Sequence, residues 1–373
     1  MRAIFTAGGT AGHINPALAI AGEIMRRDPS SEIVFIGRKD GMERKLVTEG
    51  GYRLFEVEVH GFMRRVSFEN LVFNAKSFRA AFAAQKEAKR IIADFEPDIV
   101  VGCGGYVSGP VVRAASMLSL PTAIHEQNAF PGVTTRLLAK RVSLILCSNA
   151  DSAARIGYPK KTVVTGNPVR SAFFDAAREK IREKWDVGDK VFVLSTGGTN
   201  GASGVNSIAA AFMAKHQRTN RVFHVHSTGA YSMETFQRFA REYNVDERCG
   251  NIKICEYIDD MPEHFAAADL IISRAGGLTI SEIAASGRAS VLIPSPNVTE
   301  NHQFYNAMSL VNAGAALVFQ EKEIEPESFA DRLMALVNEP KSLQAMGEKA
   351  KQTAAPDAAH RIYNCLLDLL DGA

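Results

Sequence analysis

Residues 269–307 read DLIISRAGGLTISEIAASGRASVLIPSPNVTENHQFYNA, and their pattern decides the fold. An apolar run, Leu270 to Ile272, predicts a strand; Ser273-Arg274-Ala275-Gly276-Gly277 follows, and Leu278 to Ala285 predicts a helix. A glycine turn between a strand and a helix points backbone N–H groups and the helix dipole at the strand's carboxyl edge, where an anion is held. Glu282 lies about one and a half turns into that helix, where a carboxylate can accept both hydroxyls of a ribose. A second strand, Ala289 to Ile293, ends in Pro294-Ser295-Pro296. The polar side chains after it, Glu300, Asn301, His302, Gln303 and Asn306, suit the hydroxyls of a sugar. The plainer alternative is an ordinary βαβ unit with a capped helix.

The same design repeats on the amino-terminal side. Val191 to Leu194 predicts a strand, Ser195 to Ala202 a loop containing Gly-Gly-Thr, and the sequence to Phe212 a helix. At the start of the chain, Arg2 to Thr6 predicts a strand, followed by Ala7-Gly8-Gly9-Thr10-Ala11-Gly12-His13 and a helix to Met25. FTAGGTAG and LSTGGTNG therefore share one strand-to-helix context, as in two related halves. Strands at Ile33–Ile36, Asp98–Val101, Thr122–Ile124, Leu144–Cys147 and Thr162–Val164 complete the first half, and Phe223–His226 and Ile252–Ile254 belong to the second. A second glycine loop runs from Gly102 to Pro110. Thr122–Ile124 delivers His125-Glu126-Gln127-Asn128 to the edge where open α/β sheets bind ligands. His13, at a helix start, either caps that helix or faces a cleft.

The first domain is expected to span 1–167 and to be completed by a helix at 357–373, with the second at 168–356. Gly166 and Pro168 punctuate the first sheet, and Pro356 lets the last helix cross back. Between Gly61 and Ile92, Leu71, Ala75, Phe78 and Phe82 fall at spacings of four, three and four among Arg64, Arg65, Lys76, Arg79 and Lys86. Such a helix either lies in anionic headgroups or turns its stripe to the core.

At 373 residues, 46% hydrophobic and 23% charged, the chain holds two domains of ordinary size. A net charge of +2 gives nucleic acid binding no support. Five cysteines without CxxC spacing exclude a zinc or disulfide framework, and no apolar run is long enough to be a leader or a membrane span. The second strand ends in Gly37-Arg38-Lys39-Asp40 rather than in an acid placed to grip a ribose, which weakens an NAD reading; an NADP-dependent oxidoreductase, with Arg38 on the extra phosphate, or a nucleotide-binding scaffold stands as the rival class.

GGTAGHINPALAIA, GCGGYVSGP, HEQNAFPGVTTRLLAK, GNPVR, GGTNGA and RAGGLTISEIAASG, in that order, resemble the MurG family of N-acetylglucosaminyltransferases across nearly the whole chain. The resemblance implies a GT-B fold, two Rossmann-like doubly wound parallel-sheet domains facing across a cleft. It implies inverting transfer of N-acetylglucosamine from UDP-N-acetylglucosamine to the 4-hydroxyl of the N-acetylmuramyl-pentapeptide of undecaprenyl-linked lipid I, giving lipid II and UDP. A UDP-N-acetylglucosamine epimerase or another GT-B lipid glycosyltransferase is the nearest alternative. Carried over by position, Thr199, Leu278 and Thr279 meet the diphosphate, Ile258 the uracil, Glu282 the ribose and Gln303 the sugar. From the first half, Thr10, Ala11, Gly12, Asn128 and Arg170 match donor-contacting or cleft-closing positions. His13 and Glu126 match acid–base positions, and Gly8, Gly9, Gly104, Gly105 and Tyr106 match the acceptor-diphosphate loops. Ala11 and Thr199 depart from the family's usual glycine and serine, and His302 stands where some members carry glutamine.

The resemblance further implies no required cofactor, with room for a non-essential divalent cation. It implies peripheral attachment to the anionic cytoplasmic face of a bacterial inner membrane, and contact with the cell-wall and division machinery. Independently of it, no Asp-x-Asp occurs to hold a metal diphosphate, so a helix dipole and Arg170 are the expected partners of the leaving group.

Overall fold

Two all-parallel sheets, each wound in both directions from its first strand, organise the chain. The computed structural model describes residues 1–61 and 67–372; Phe62, Arg64 and Arg65 of the basic-apolar stretch lie outside the described residues. One unit comprises Met1–Val169 together with the chain from Asp357 onward, and the other is Arg170–Pro356.

In the first unit the strands are β1 (Arg2–Thr6), β2 (Glu32–Arg38), β3 (Arg53–Val57), β4 (Ile99–Gly102), β5 (Thr122–Glu126), β6 (Leu144–Cys147) and β7 (Thr162–Val164), in the order β3-β2-β1-β4-β5-β6-β7. Helices cover both faces, which is why the central strands are apolar throughout and lack the alternation of a half-exposed sheet. The winding reverses between β1 and β4, which pair in register from Ala3↔Ile99 to Thr6↔Gly102. At such a reversal the loops leaving the two strands part to opposite faces and open a crevice. The helix Ala358–Asp371 packs on the first helix, Ala11–Arg27. Its Ile362 and Leu366 share a core with Ile14, Ile20 and Ile24.

The second unit carries β8 (Val191–Thr196), β9 (Val222–Ser227), β10 (Ile252–Cys255), β11 (Leu270–Ser273), β12 (Ala289–Leu292) and β13 (Ala316–Val318), ordered β10-β9-β8-β11-β12-β13. Its reversal lies between β8 and β11, paired from Leu270↔Val193 to Ser273↔Thr196. Inside this unit three fully buried histidines form a chain. His216 Nε2 lies 3.0 Å from His224 Nδ1, and the Ser195 hydroxyl lies 2.7 Å from both His224 Nε2 and His226 Nδ1.

The long helix Phe68–Phe95 begins where the Ser67 hydroxyl accepts from Asn70 N at 3.1 Å and ends at Glu96, whose φ of 49° leaves the helical region. Its two ends differ. Ala84, Ala88, Ile91 and Ile92 are buried in the core, whereas Leu71, Phe78 and Phe82 are 68%, 58% and 53% exposed. The stripe therefore faces away from the core, and the core-facing reading fails over this first half.

Candidate active site

In each unit the first glycine loop leaves the sheet at the reversal. After β1, Gly9 turns to a φ of +86°; after β8, Gly198 does the same at +86°. Each loop is locked against a second one by backbone contact that leaves no room for a side chain. A Cβ on Gly105 would lie 2.2 Å from the Gly8 carbonyl oxygen, and one on Gly229 would lie 2.0 Å from Gly201 N. Gly105 and Gly229 also have φ of +79° and +93°, so both contact and conformation require glycine there. The shared Gly-Gly-Thr thus corresponds to one piece of geometry built twice.

In the first unit Thr10, exposed, precedes the helix whose first turn holds Ala11, Gly12 and His13. Thr10 does not cap that helix through its side chain; its hydroxyl lies 3.3 Å from His13 Nδ1. His13 Nδ1 also lies 3.0 Å from the Gly8 carbonyl oxygen, so this nitrogen donates and the neutral ring carries its lone pair on Nε2. The ring rests on Gly104, where a Cβ would approach to 2.7 Å. Tyr106 lies over Gly9 and beside Gly61. His13, Gly8, Gly9, Gly104, Gly105 and Tyr106 are therefore one cluster.

The four polar residues after β5 behave differently. Glu126, 3% exposed, accepts from Asn128 N and Asn128 Nδ2, both at 3.0 Å, from Gly132 N at 2.9 Å and from Thr135 Oγ1 at 2.5 Å. Its carboxylate ties the turn together and orients Asn128, which is half-buried. His125 and Gln127 turn inward and are not ligand contacts. His125 Nε2 donates to Gly166 O at 3.1 Å, Gln127 Nε2 donates to Cys103 O at 3.0 Å, and burial lowers the His125 pKa to about 4.

In the second unit the helix Gly277–Ser286 starts at Gly276 and presents Leu278, buried, and Thr279, half-buried, in its first turn. Glu282 is 9% exposed, and burial raises its pKa to about 8, opposed by the Arg170 charge. Arg170 belongs to this unit rather than to the first half. The short helix after it, Ala172–Asp175, packs on Gly277–Ser286, and its guanidinium lies over the Phe173 ring at 5.4 Å. Thr199 is tied by its carbonyl, which accepts from Ala230 N at 3.0 Å. Gln303 Oε1 accepts from Ser295 N at 2.8 Å, which fixes the amide so that Nε2 is presented on the other side. Asn306 is 4% exposed and donates to Ala275 O at 3.0 Å, so it braces the glycine turn instead of reading a sugar. Ile258, 4% exposed, follows β10.

Two charged residues that sequence reading did not assign to the site stand behind these loops. Arg274 donates to Ile293 O at 3.1 Å and Pro294 O at 3.3 Å and pairs with Glu321, fixing the turn after β11. Glu43, 1% exposed, accepts from Gly9 N at 3.1 Å. Arg274 opens the RAGG turn quoted above, whereas Glu43 stands in no recognisable spacing; its one sequence signal is the glycines, Gly37 and Gly41, that make room around it.

Comparison with known proteins places this geometry. The model of the glycosyltransferase family 28 N-terminal domain matches residues 3–146, and that of its C-terminal domain matches residues 192–362. The chain is 39% identical over 371 residues to the UDP-N-acetylglucosamine–N-acetylmuramyl-(pentapeptide) pyrophosphoryl-undecaprenol N-acetylglucosamine transferase of Acetivibrio thermocellus, covering 99% of this chain and 98% of that protein. Among solved structures it is similar to Acinetobacter baumannii MurG, with a TM-score of 0.71 and 26% identity over 98% and 99% of the two chains. It also shares a fold with S. aureus MnaA solved with UDP, with a TM-score of 0.73 at 16% identity over 100% and 97%. The two scores are alike, so the fold does not separate these neighbours. Sequence identity does.

Proposed function

The chain belongs to glycosyltransferase family 28, and from that premise we propose that it is an inverting N-acetylglucosaminyltransferase of peptidoglycan synthesis, using UDP-N-acetylglucosamine and an undecaprenyl-diphosphate-linked muramyl-pentapeptide. The observation that carries this reading is the 39% identity, extending over 99% of the chain, to a transferase of that name. The acceptor 4-hydroxyl oxygen bonds to C1 of the sugar on the face opposite UDP. The C1–O bond to the β-phosphate breaks, its electron pair stays on the diphosphate, and the hydroxyl proton passes to a base.

We assign the base to His13, whose Nδ1–H···O=C bond leaves the lone pair on Nε2. Glu126 is read as the anchor of Asn128, because its oxygens are taken up by the turn. The glycine loops, the amino end of Gly277–Ser286 and Arg170 oppose the charge that grows on the leaving diphosphate, an effect greatest in the transition state. Glu282 takes the ribose, whose hydroxyls supply the hydrogen bonds that burial otherwise denies a carboxylate.

UDP release, followed with and without a lipid I analogue, tests the reading. Release should require the acceptor, and Glu282→Ala should raise the donor KM by about 10- to 100-fold, the value of hydrogen bonds to a charged group. Donor turnover without acceptor would instead identify an epimerase or hydrolase.

The lipid-linked acceptor calls for a membrane-facing surface, and we assign it to the exposed Leu71, Phe78 and Phe82 with Lys76 and Arg79 beside them. Among the described residues no helix is long and apolar enough to cross a membrane. Attachment is then peripheral, on the cytoplasmic face of the inner membrane, where the supply of lipid II serves wall growth and division. Making Phe78 and Phe82 serine together should weaken binding to anionic vesicles at least tenfold, since each ring contributes about 1.5–3 kcal/mol when buried. Undiminished binding would remove this helix from the membrane contact.

A further inference from the structure

We propose that Glu43 is a positioning residue for His13, acting through the Gly8–Gly9 peptide bond. The inference rests on the reading of His13 as the base. Glu43 Oε1 accepts from Gly9 N at 3.1 Å, and the Gly8 carbonyl oxygen accepts from His13 Nδ1 at 3.0 Å. These are the two ends of a single amide group. A carboxylate on the N–H draws that hydrogen toward itself and pushes electron density to the carbonyl oxygen, which then holds the imidazole N–H more firmly. The carboxylate thus acts on the ring with a peptide between them, fixing the tautomer and orientation in which Nε2 takes the proton.

The surroundings are built for this carboxylate. Glu43 is 1% exposed, and among the described residues its second oxygen, Oε2, has no hydrogen-bond partner. Glycines from separate segments clear its space: a Cβ at Gly8 would lie 2.0 Å from Oε1, and one at Gly41 would lie 1.9 Å from Oε2. At Gly37 a Cβ would lie 3.0 Å from the Glu43 Cβ. A buried carboxylate so poorly provided with partners is costly, and structure alone would be better served by an apolar residue. Tyr106, over Gly9, is a further titratable side chain against the same peptide.

Glu43→Gln keeps the shape and an acceptor oxygen and removes the charge. Expected are a kcat about tenfold lower, smaller than the loss from mis-set tautomers at a directly bonded carboxylate–imidazole pair, and a donor KM within about twofold of wild type. The ¹⁵N resonances of His13 should move from the Nδ1–H form toward a mixture of tautomers. In a His13→Ala background the same change should leave kcat where it was.

An unchanged ¹⁵N spectrum with wild-type kcat overturns the proposal, and so does an equal tenfold loss in the His13→Ala background. If His13→Ala itself keeps full kcat, the assignment of the base fails, while the ¹⁵N spectrum of Glu43→Gln still decides whether Glu43 governs the ring. Should Glu43→Gln not fold, Glu43→Asp draws the charge back from Gly9 and should shift the tautomers in the same direction; no shift overturns the link.

Discussion

His13→Ala is expected to lower kcat by about 10²- to 10⁴-fold while moving the donor KM by less than about threefold. The asymmetry follows from where the residue sits. Its ring lies between the Gly8 carbonyl and Gly104 in the first unit, whereas Arg170, Thr199, Glu282 and Gln303, proposed for the donor, all belong to the second. Removing the imidazole therefore withdraws an interaction made as the acceptor proton leaves, and withdraws little from the ground state. Single-turnover transfer to a lipid I analogue measures the step directly. A kcat within threefold of wild type would exclude His13 as the base.

Lowering the pH from 7 to 5 is expected to cut the melting temperature of the second unit by about 5–15 °C. Burial lowers the pKa of His216 to about 4 and that of His226 to about 3. His224 is held well below its ordinary value by burial and then by its two histidine neighbours. In the unfolded chain each titrates near 6.5. Between that value and the folded one, unfolding takes up protons, so stability is complete above about pH 7 and falls as the pH drops toward 4. At pH 5 the three together cost about 4–6 kcal/mol. Glu282 in the same unit, whose pKa burial raises to about 8, binds its proton more tightly folded than unfolded and offsets about 2–3 kcal/mol of this, leaving a net loss of about 2–4 kcal/mol against the ~5–15 kcal/mol that holds a domain. Burial is the main cause of the lowered values, and among the described residues His216 Nδ1 and His226 Nε2 have no hydrogen-bond partner to receive an added proton. Calorimetry across this range checks the slope, and His216→Gln should make it shallower. A flat profile would mean that the cluster accepts a proton without opening.

Central strands were legible from sequence because a parallel sheet covered on both faces leaves an apolar run and little else. The range expected for Leu144–Cys147 is that of β6. Strands β3 and β13 were not: both are edge strands, and Leu317 in β13 is 42% exposed, whereas the edge strands β7 and β10 were legible through their β-branched Thr162-Val163-Val164 and Ile252 and Ile254. Sequence likewise pointed to the edge after β5 without indicating which side chains face outward. His125 and Gln127 are consumed by backbone partners at Gly166 and Cys103, residues remote in sequence. Glu43 escaped notice because its partner is a main-chain N–H, which any residue type could supply.

The terminal helix has a consequence for synthesis. Ile362 and Leu366 fill the core around Ile14, Ile20 and Ile24, yet they leave the ribosome after the whole of the second unit has emerged. The strands of the second unit emerge and can begin to bury their own core while the apolar face of the helix Ala11–Arg27 waits uncovered. The half made first is the half finished last, and its exposed face through that interval is a surface for chaperones to shield.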